Sequence, residues 1–277
     1  MSFVTSKKDY KNILRNTTLG ITIFLSALFV FLGPLTAMAF VSVDPIVSRN
    51  WSGYVSMGMG SYTGIGASWI VPNASSTVYS ADATWVGISG MLKPDLIQVG
   101  THALADKKMS LNAPGLDFTY KAWYEILPNS PVIIPVAIKP GDSIVVSIVR
   151  QSSDRWLITF NNVTTNQNYE TTVHYASSMS SVEWIQEMPL STGTNVFVPL
   201  DNFGTIHFAD TWAIVNGSKK TIGQLNGRRI TMLDYSNQPL VTTSMLGLDG
   251  ASFSVARTNI MSTPALTVGQ IVKIRHI

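Results

Sequence analysis

The sequence predicts an all-β domain behind an export segment, and three observations carry that prediction. Apolar and polar residues alternate with period two through most of the chain after residue 50. Gly, Pro and Asn interrupt the alternation at short intervals, as turns between short strands require. Helical periodicity is weak, so the pattern points to a sandwich or a barrel and not to alternating strands and helices.

Residues 1–39 are set apart from this domain. Lys7, Lys8, Lys11 and Arg15 form a basic start, and Leu19 to Leu32 is an almost unbroken apolar stretch ended by Gly33-Pro34. Ala37-Met38-Ala39 then gives the small-x-small pattern of a signal-peptidase site. The expectation is a signal peptide. A membrane anchor through residues 19–41 is the competing reading, because that stretch is just long enough to cross a bilayer. Either way the body of the protein is exported. Residues 40–49 are a short linker, 50–260 the β domain, and 261–277 an apolar and basic tail without assignment.

Within the domain, Ser68 to Pro72 is expected as a strand that ends where proline removes the N–H. Ser143 to Val149 is a second, launched by the turn Lys139-Pro140-Gly141-Asp142. Trp156 to Phe160 and Glu170 to Tyr175 form a local hairpin across Asn161 to Thr165. Lys220 to Asp234 has room for a turn or two of helix, although Ile230 to Leu233 looks like strand. Asn50, Asn73, Asn162 and Asn216 each open an N-x-Ser/Thr sequon, which marks surface if the host glycosylates.

Charge and composition narrow the function. Residues 1–39 hold four of the 19 Lys+Arg and one of the 16 Asp+Glu, which leaves 15 of each in the rest. The basic balance belongs to the export segment, and no nucleic-acid partner follows from it. Only 13% of residues are charged, a composition that tolerates acid. With no cysteine, thiol nucleophiles, thiolate metal sites and disulfides are excluded. A domain of this length buries enough apolar surface without them, and a monomer is expected.

Elimination continues at the level of motifs. His102, His174, His207 and His276 show no metal-ligand spacing, so no metal or cofactor is expected, and His102 and His207 are taken as structural. There is no GxSxG elbow, and nothing beside Ser89 marks a base for it. Carboxylate and amide chemistry remains. On an extended strand Glu183, Ile185 and Glu187 share one face, while Val182, Trp184 and Gln186 share the other. The two glutamates then stand roughly 13 Å apart at about 3.3 Å per residue, too far for a glycosidase pair, which needs about 5–9.5 Å. Lys121, Trp123 and Glu125 likewise share a face, and an aromatic ring between two charges suits a cleft. A non-catalytic sandwich that binds glycans or cell-surface polymers through tryptophans, and a glycosidase using Glu125 with Glu187, both stay open on these residues.

An ordered series of short segments goes further. Asn50-Trp51-Ser52-Gly53-Tyr54, Trp69 to Pro72, Trp85-Val86-Gly87-Ile88-Ser89-Gly90 and Leu96-Ile97-Gln98-Val99-Gly100 come first. Ala122 to Glu125, Pro140-Gly141-Asp142, the hairpin at Asn162 to Thr165, Glu183 to Glu187 and Pro199 to Gly204 follow. From about residue 50 to 255 this series resembles the glutamic peptidase (eqolisin) family. The resemblance implies a concanavalin-like sandwich of two large bent antiparallel sheets, with the site on the concave face. It places the catalytic amide on Gln98 and the catalytic carboxylate on Glu187, and it matches Trp85, Trp123 and Glu125 to cleft-lining or supporting positions. Ser89 and Lys121 stand where fungal members carry acids, and Ile126-Leu127 where they carry aromatics, so these positions are expected to alter substrate preference. The absence of disulfides suits a prokaryotic member. The implied activity is acid endopeptidase action on polypeptides. Glutamate in water titrates near about 4.3, which agrees with an acid optimum.

Overall fold

A computed structural model describes residues 45–107, 116–191, 196–259 and 274–276. The expected signal or anchor helix of residues 1–39 lies outside the described residues. In chain order the strands begin with β1 (Ile46–Ser48), β2 (Trp51–Met57), β3 (Tyr62–Ile70), β4 (Ser80–Ile88), β5 (Ile97–Lys107) and β6 (Leu116–Ile126). Next come β7 (Val132–Ile133), β8 (Ser143–Arg150), β9 (Arg155–Asn162), β10 (Gln167–His174), β11 (Ser181–Glu187) and β12 (Leu190–Ser191). The last are β13 (Thr205–Val215), β14 (Ser218–Thr221), β15 (Arg228–Leu233), β16 (Pro239–Thr243), β17 (Phe253–Arg257) and β18 (Ile274–Arg275). Between β14 and β15 a 3-10 turn, Gly223–Leu225, is the one helical element among the described residues. The single turn and the strand that follows it resolve the ambiguous stretch 220–234.

Sixteen strands join in one hydrogen-bonded sheet whose main path runs β10-β9-β8-β3-β13-β17-β16-β15-β2-β11-β4-β5-β6-β7. The sheet turns back on itself at β13. Thr205 to Phe208 pair with β17, whereas Ala209 onward pair with β3. Between Ala209 and Trp212 the register slips, and Asp210 takes a positive φ of 49° there. An irregularity of this kind bends a strand and increases its twist, and here it starts the second layer.

The core fills the space between the layers. Ile144, Val146 and Ile148 of β8 and Trp156, Ile158 and Phe160 of β9 alternate inward, and meet Val86, Val99, Val182 and Trp184 from the other layer. Two indoles tie the layers with hydrogen bonds. Trp184 Nε1 donates to the carbonyl of Gly66 on β3 at 3.1 Å, and Trp69 Nε1 of β3 donates to Thr101 Oγ1 of β5 at 3.1 Å. Each ring buries its full apolar area without leaving its N–H unpaired, a need that grows as water is excluded. In contrast with β8 and β9, β4 and β11 are buried along their whole length. Strands covered on both faces imply a second apolar cluster beyond the inter-layer core. Trp51, Val55, Ala83, Trp85, Leu96, Trp123, Ile185 and Ile230 form it.

One sequon departs from expectation. Asn162 is buried, with its Nδ2 donating to the carbonyl of Ala137 at 3.1 Å and to Asp142 Oδ2 at 2.9 Å. Its Oδ1 accepts from the N–H of Thr165 at 3.2 Å, closing the β9–β10 turn. The amide is committed to structure, so the site is not a surface acceptor.

Carboxyls are also buried between the layers. Asp82 of β4 accepts from Gln186 Nε2 at 2.9 Å and from the N–H of Ala103 at 3.2 Å. Burial pushes the Asp82 carboxyl up to about 7 against those hydrogen bonds. Burial, with Asp82 nearby, raises Asp201 well above its ordinary value as well. Unfolded aspartate titrates near about 4, so folded Asp82 holds an extra proton between about pH 4 and about 7. Its stabilising contribution is complete at the acid end and is lost as pH rises to about 7. Asp82→Asn removes this titration. The melting temperature of the parent, relative to that variant, should rise by several degrees from pH 7.5 to 4.5. Calorimetry at the two pH values checks this, and parallel curves for the two proteins would contradict it.

Candidate active site

The site is laid out by the registry of four adjacent strands. Gln98 of β5 lies opposite Glu125 of β6 and Gly87 of β4, and Gly87 lies opposite Glu183 of β11. Two residues along, the row reads Trp123, Gly100, Trp85 and Ile185; two further it reads Lys121, His102, Ala83 and Glu187. Directly paired residues share a face, as do residues two apart on a strand. Gln98, Glu125, Trp85, Trp123, Lys121, Glu183 and Glu187 are therefore all on one face, opposite the inter-layer core. Trp184, one residue out of phase, points into that core.

Glycine gives this face its relief. A Cβ on Gly100 would stand 2.1 Å from the carbonyl oxygen of Thr84 and 2.6 Å from Cβ of Trp85. A Cβ on Gly87 would meet the Trp85 ring at 2.9 Å and Leu96 at 2.8 Å. The Trp85 indole thus lies flat across positions where no other side chain fits. From there its Nε1 donates to Glu187 Oε2 at 2.8 Å, and its ring edge packs against Trp51 with centroids 5.1 Å apart. Asn50 Nδ2 reaches the other carboxylate oxygen at 3.5 Å.

Gln98 is held as firmly. It is fully buried, and its Nε2 donates to Glu125 Oε2 at 2.9 Å. The second Nε2 hydrogen goes to the main-chain carbonyl of His276 at 3.2 Å. The same histidine places its Nδ1 3.5 Å from Glu187 Oε2 and stacks its ring on Trp123, with centroids 3.7 Å apart and planes 15° from parallel. Gln98 and Glu187 therefore converge on a single residue. His276 is fully buried, and burial lowers its imidazole to about 3. His102, whose ring lies 5.7 Å from that of His276, is also lowered by burial, then by the charges of His276 and Lys121. Below this layer, burial raises the Glu183 carboxyl well above its ordinary value.

Two sequence-derived candidates stand differently. Lys121 is exposed, in the row of Glu187 but three strands away. Ser89, expected to line the cleft, has its hydroxyl committed to a serine cluster. It takes a positive φ of 68° just past β4, and its hydroxyl bonds with Ser177 and Ser178 at 3.1 Å each. It also accepts from the N–H of Ser180 at 3.3 Å. Strand alternation stops at Ile88, so periodicity gave no guide to where Ser89 points. Sequence reasoning missed Asn50 and His276 as neighbours of Glu187 and left His102 as a structural residue. The Asn50-Trp51 segment was a visible signal, whereas nothing local marks His276.

The two-layer antiparallel β fold is that of solved glutamic peptidases. The chain belongs to the Peptidase A4 family, whose sequence profile matches residues 49–256, and it is a peptidase of that class. It is 27% identical over 215 residues to scytalidopepsin B of Scytalidium lignicola, spanning 74% of this chain and 77% of that protein. It is 27% identical over 227 residues to aspergillopepsin-2 of Aspergillus niger, spanning 72% and 75% respectively. The crystal structure of scytalido-glutamic peptidase with a peptide-based transition-state analogue superposes with a TM-score of 0.63 at 26% identity, covering 76% of this chain and 99% of that one.

The indole–carboxylate contact can be measured directly. Trp85→Phe keeps the ring packing and deletes the donor to Glu187. A double-mutant cycle with Glu187→Ala, read by urea unfolding, should give a coupling energy of about 1–2 kcal/mol. A coupling of zero would mean that the pair does not interact.

Proposed function

We propose that this chain is a secreted acid endopeptidase in which Gln98 and Glu187 cleave peptide bonds through one activated water, without a covalent intermediate. The supporting observation is the convergence of both side chains on His276, with a peptide carbonyl at the Gln98 amide and the Glu187 carboxylate beside the same residue. In the reaction, ionised Glu187 takes a proton from water, and the oxygen attacks the scissile carbonyl carbon. The developing oxyanion accepts from Gln98 Nε2. Glu187 then returns the proton to the departing nitrogen, and the C–N bond breaks.

The surrounding residues fit these roles. Glu125 holds one Nε2 hydrogen of Gln98 and so presents the other to substrate. A donor fixed in advance avoids reorganisation as charge develops and contributes on the order of 3–4 kcal/mol. Trp85 orients the carboxylate by the same logic. Trp123 forms a flat wall against which a substrate side chain stacks. Lys121 stands exposed on the same face and bears on substrate preference. Export is supported by the basic and apolar start of the chain, and action in acid by the buried carboxyls of Asp82, Asp201 and Glu183, which favour the protonated state.

The test is proteolysis of a denatured protein at low pH in the presence of pepstatin. Gln98→Ala should lower kcat by roughly 100- to 1,000-fold, and Glu187→Gln should abolish turnover, both with unchanged far-UV circular dichroism. Substantial residual turnover by Glu187→Gln would reject the assignment.

A further inference from the structure

His276 is brought to the site by a paired strand. It follows β18, whose Ile274 and Arg275 pair antiparallel with Ser191 and Leu190 of β12. The segment therefore enters as one strand of a separate two-stranded ribbon, held to β12 by main-chain pairing as an extended peptide would be. Strand β12 begins three residues after Glu187, joined through Met188, whose N–H donates to the carbonyl of Asn50 at 2.8 Å. The base and the docking strand are thus parts of one rigid stretch.

Three contacts then fix His276 itself. Its carbonyl accepts from Gln98 Nε2, its imidazole lies on Trp123, and its Nδ1 stands against Glu187. The carbonyl is where the proposed chemistry requires the carbonyl of a bound substrate. The imidazole stands against the Glu187 carboxylate that, in the proposed chemistry, must hold the water. A peptide held in this way looks like substrate to Gln98 and denies Glu187 its nucleophile. The ring is wholly buried, so the fit excludes solvent from both groups.

We infer that the Ile274–His276 strand is an internal pseudosubstrate, which occupies the cleft and holds the peptidase in a latent form. The inference rests on the Gln98–Glu187 reading of the site for its inhibitory consequence, while occupancy of the cleft is a separate matter of binding. Access for a polypeptide requires that the strand leave β12 and that the imidazole leave Trp123.

Two measurements test it. First, kcat/KM on a short peptide substrate is compared between the full chain, a chain lacking residues 274–277, and His276→Ala. The shortened chain and His276→Ala should each be at least tenfold more active. A synthetic peptide of residues 268–277 should inhibit the shortened chain competitively, and the same peptide with alanine for His276 should not. Equal activity of the full chain and both variants overturns the inference while leaving the peptidase reading in place. Second, binding of the synthetic peptide to the shortened chain is followed by tryptophan emission, with Trp123→Phe as control. Binding that depends on Trp123 and on the histidine supports occupancy even if no chain cleaves, a result that would defeat the peptidase reading alone. If the shortened chain does not fold, His276→Ala carries the comparison. Absence of binding overturns the inference outright.

Discussion

Everything on the face that carries Gln98 and Glu187 depends on unbroken registry across β6, β5, β4 and β11. Gln98 and Glu187 are not neighbours in the sheet; one lies in the row of Gly87, the other in the row of Ala83. They share a face because two pairings, β4 with β5 and β4 with β11, keep phase over their whole length. A slip of one residue in either would send the carboxylate or the amide into the inter-layer core. The slip is opposed from both sides, since Trp184 and Gln186 would then be forced out of the core to which their hydrogen bonds commit them. The inter-layer packing and the face of Gln98 and Glu187 therefore specify each other.

Much of this was legible in the sequence, for reasons that differ by residue. Alternation alone separates Glu183 and Glu187 from Trp184, because a fully extended strand leaves no third option for a side chain. The all-β character and the β8 and β9 strands follow from the same period. The ordered motif series supplied Gln98 and Glu187 as a pair, which periodicity alone does not. Where Ser89 points was not legible, because its backbone leaves the strand at a positive φ, where face assignments lose meaning. Asn162 looked like a surface sequon because a tripeptide pattern carries no information about Asp142, its buried partner twenty residues earlier. His276 was illegible for a deeper reason: what brings it to the site is the pairing of Ile274 and Arg275 with Ser191 and Leu190, more than eighty positions away.

The distribution of buried ionisable groups gives the molecule a consistent chemical character. Asp82, Asp201 and Glu183 sit where ionisation is opposed by lost hydration, and each favours the protonated state. His102 and His276 act with the opposite sign, since both are kept neutral by burial and resist protonation. Of the inter-layer acids, Asp82 accepts from Gln186 and from a backbone N–H, which oppose its protonation without overcoming burial. The histidines, like Glu183, lie on the face that carries Gln98 and Glu187. Acid therefore strengthens the interior and strains the cleft contents.

The bend in β13 has a consequence for how the chain acquires its structure. A strand whose first part belongs to one layer and whose second part belongs to the other leaves neither layer able to complete its ladder alone. Its partners, β3 and β17, come from opposite ends of the domain. The assembly must thus wait for distant parts of the chain to meet, and loop-closure entropy is spent before most of the reward arrives. Such a topology folds slowly, because its reward comes only after both layers have met across β13.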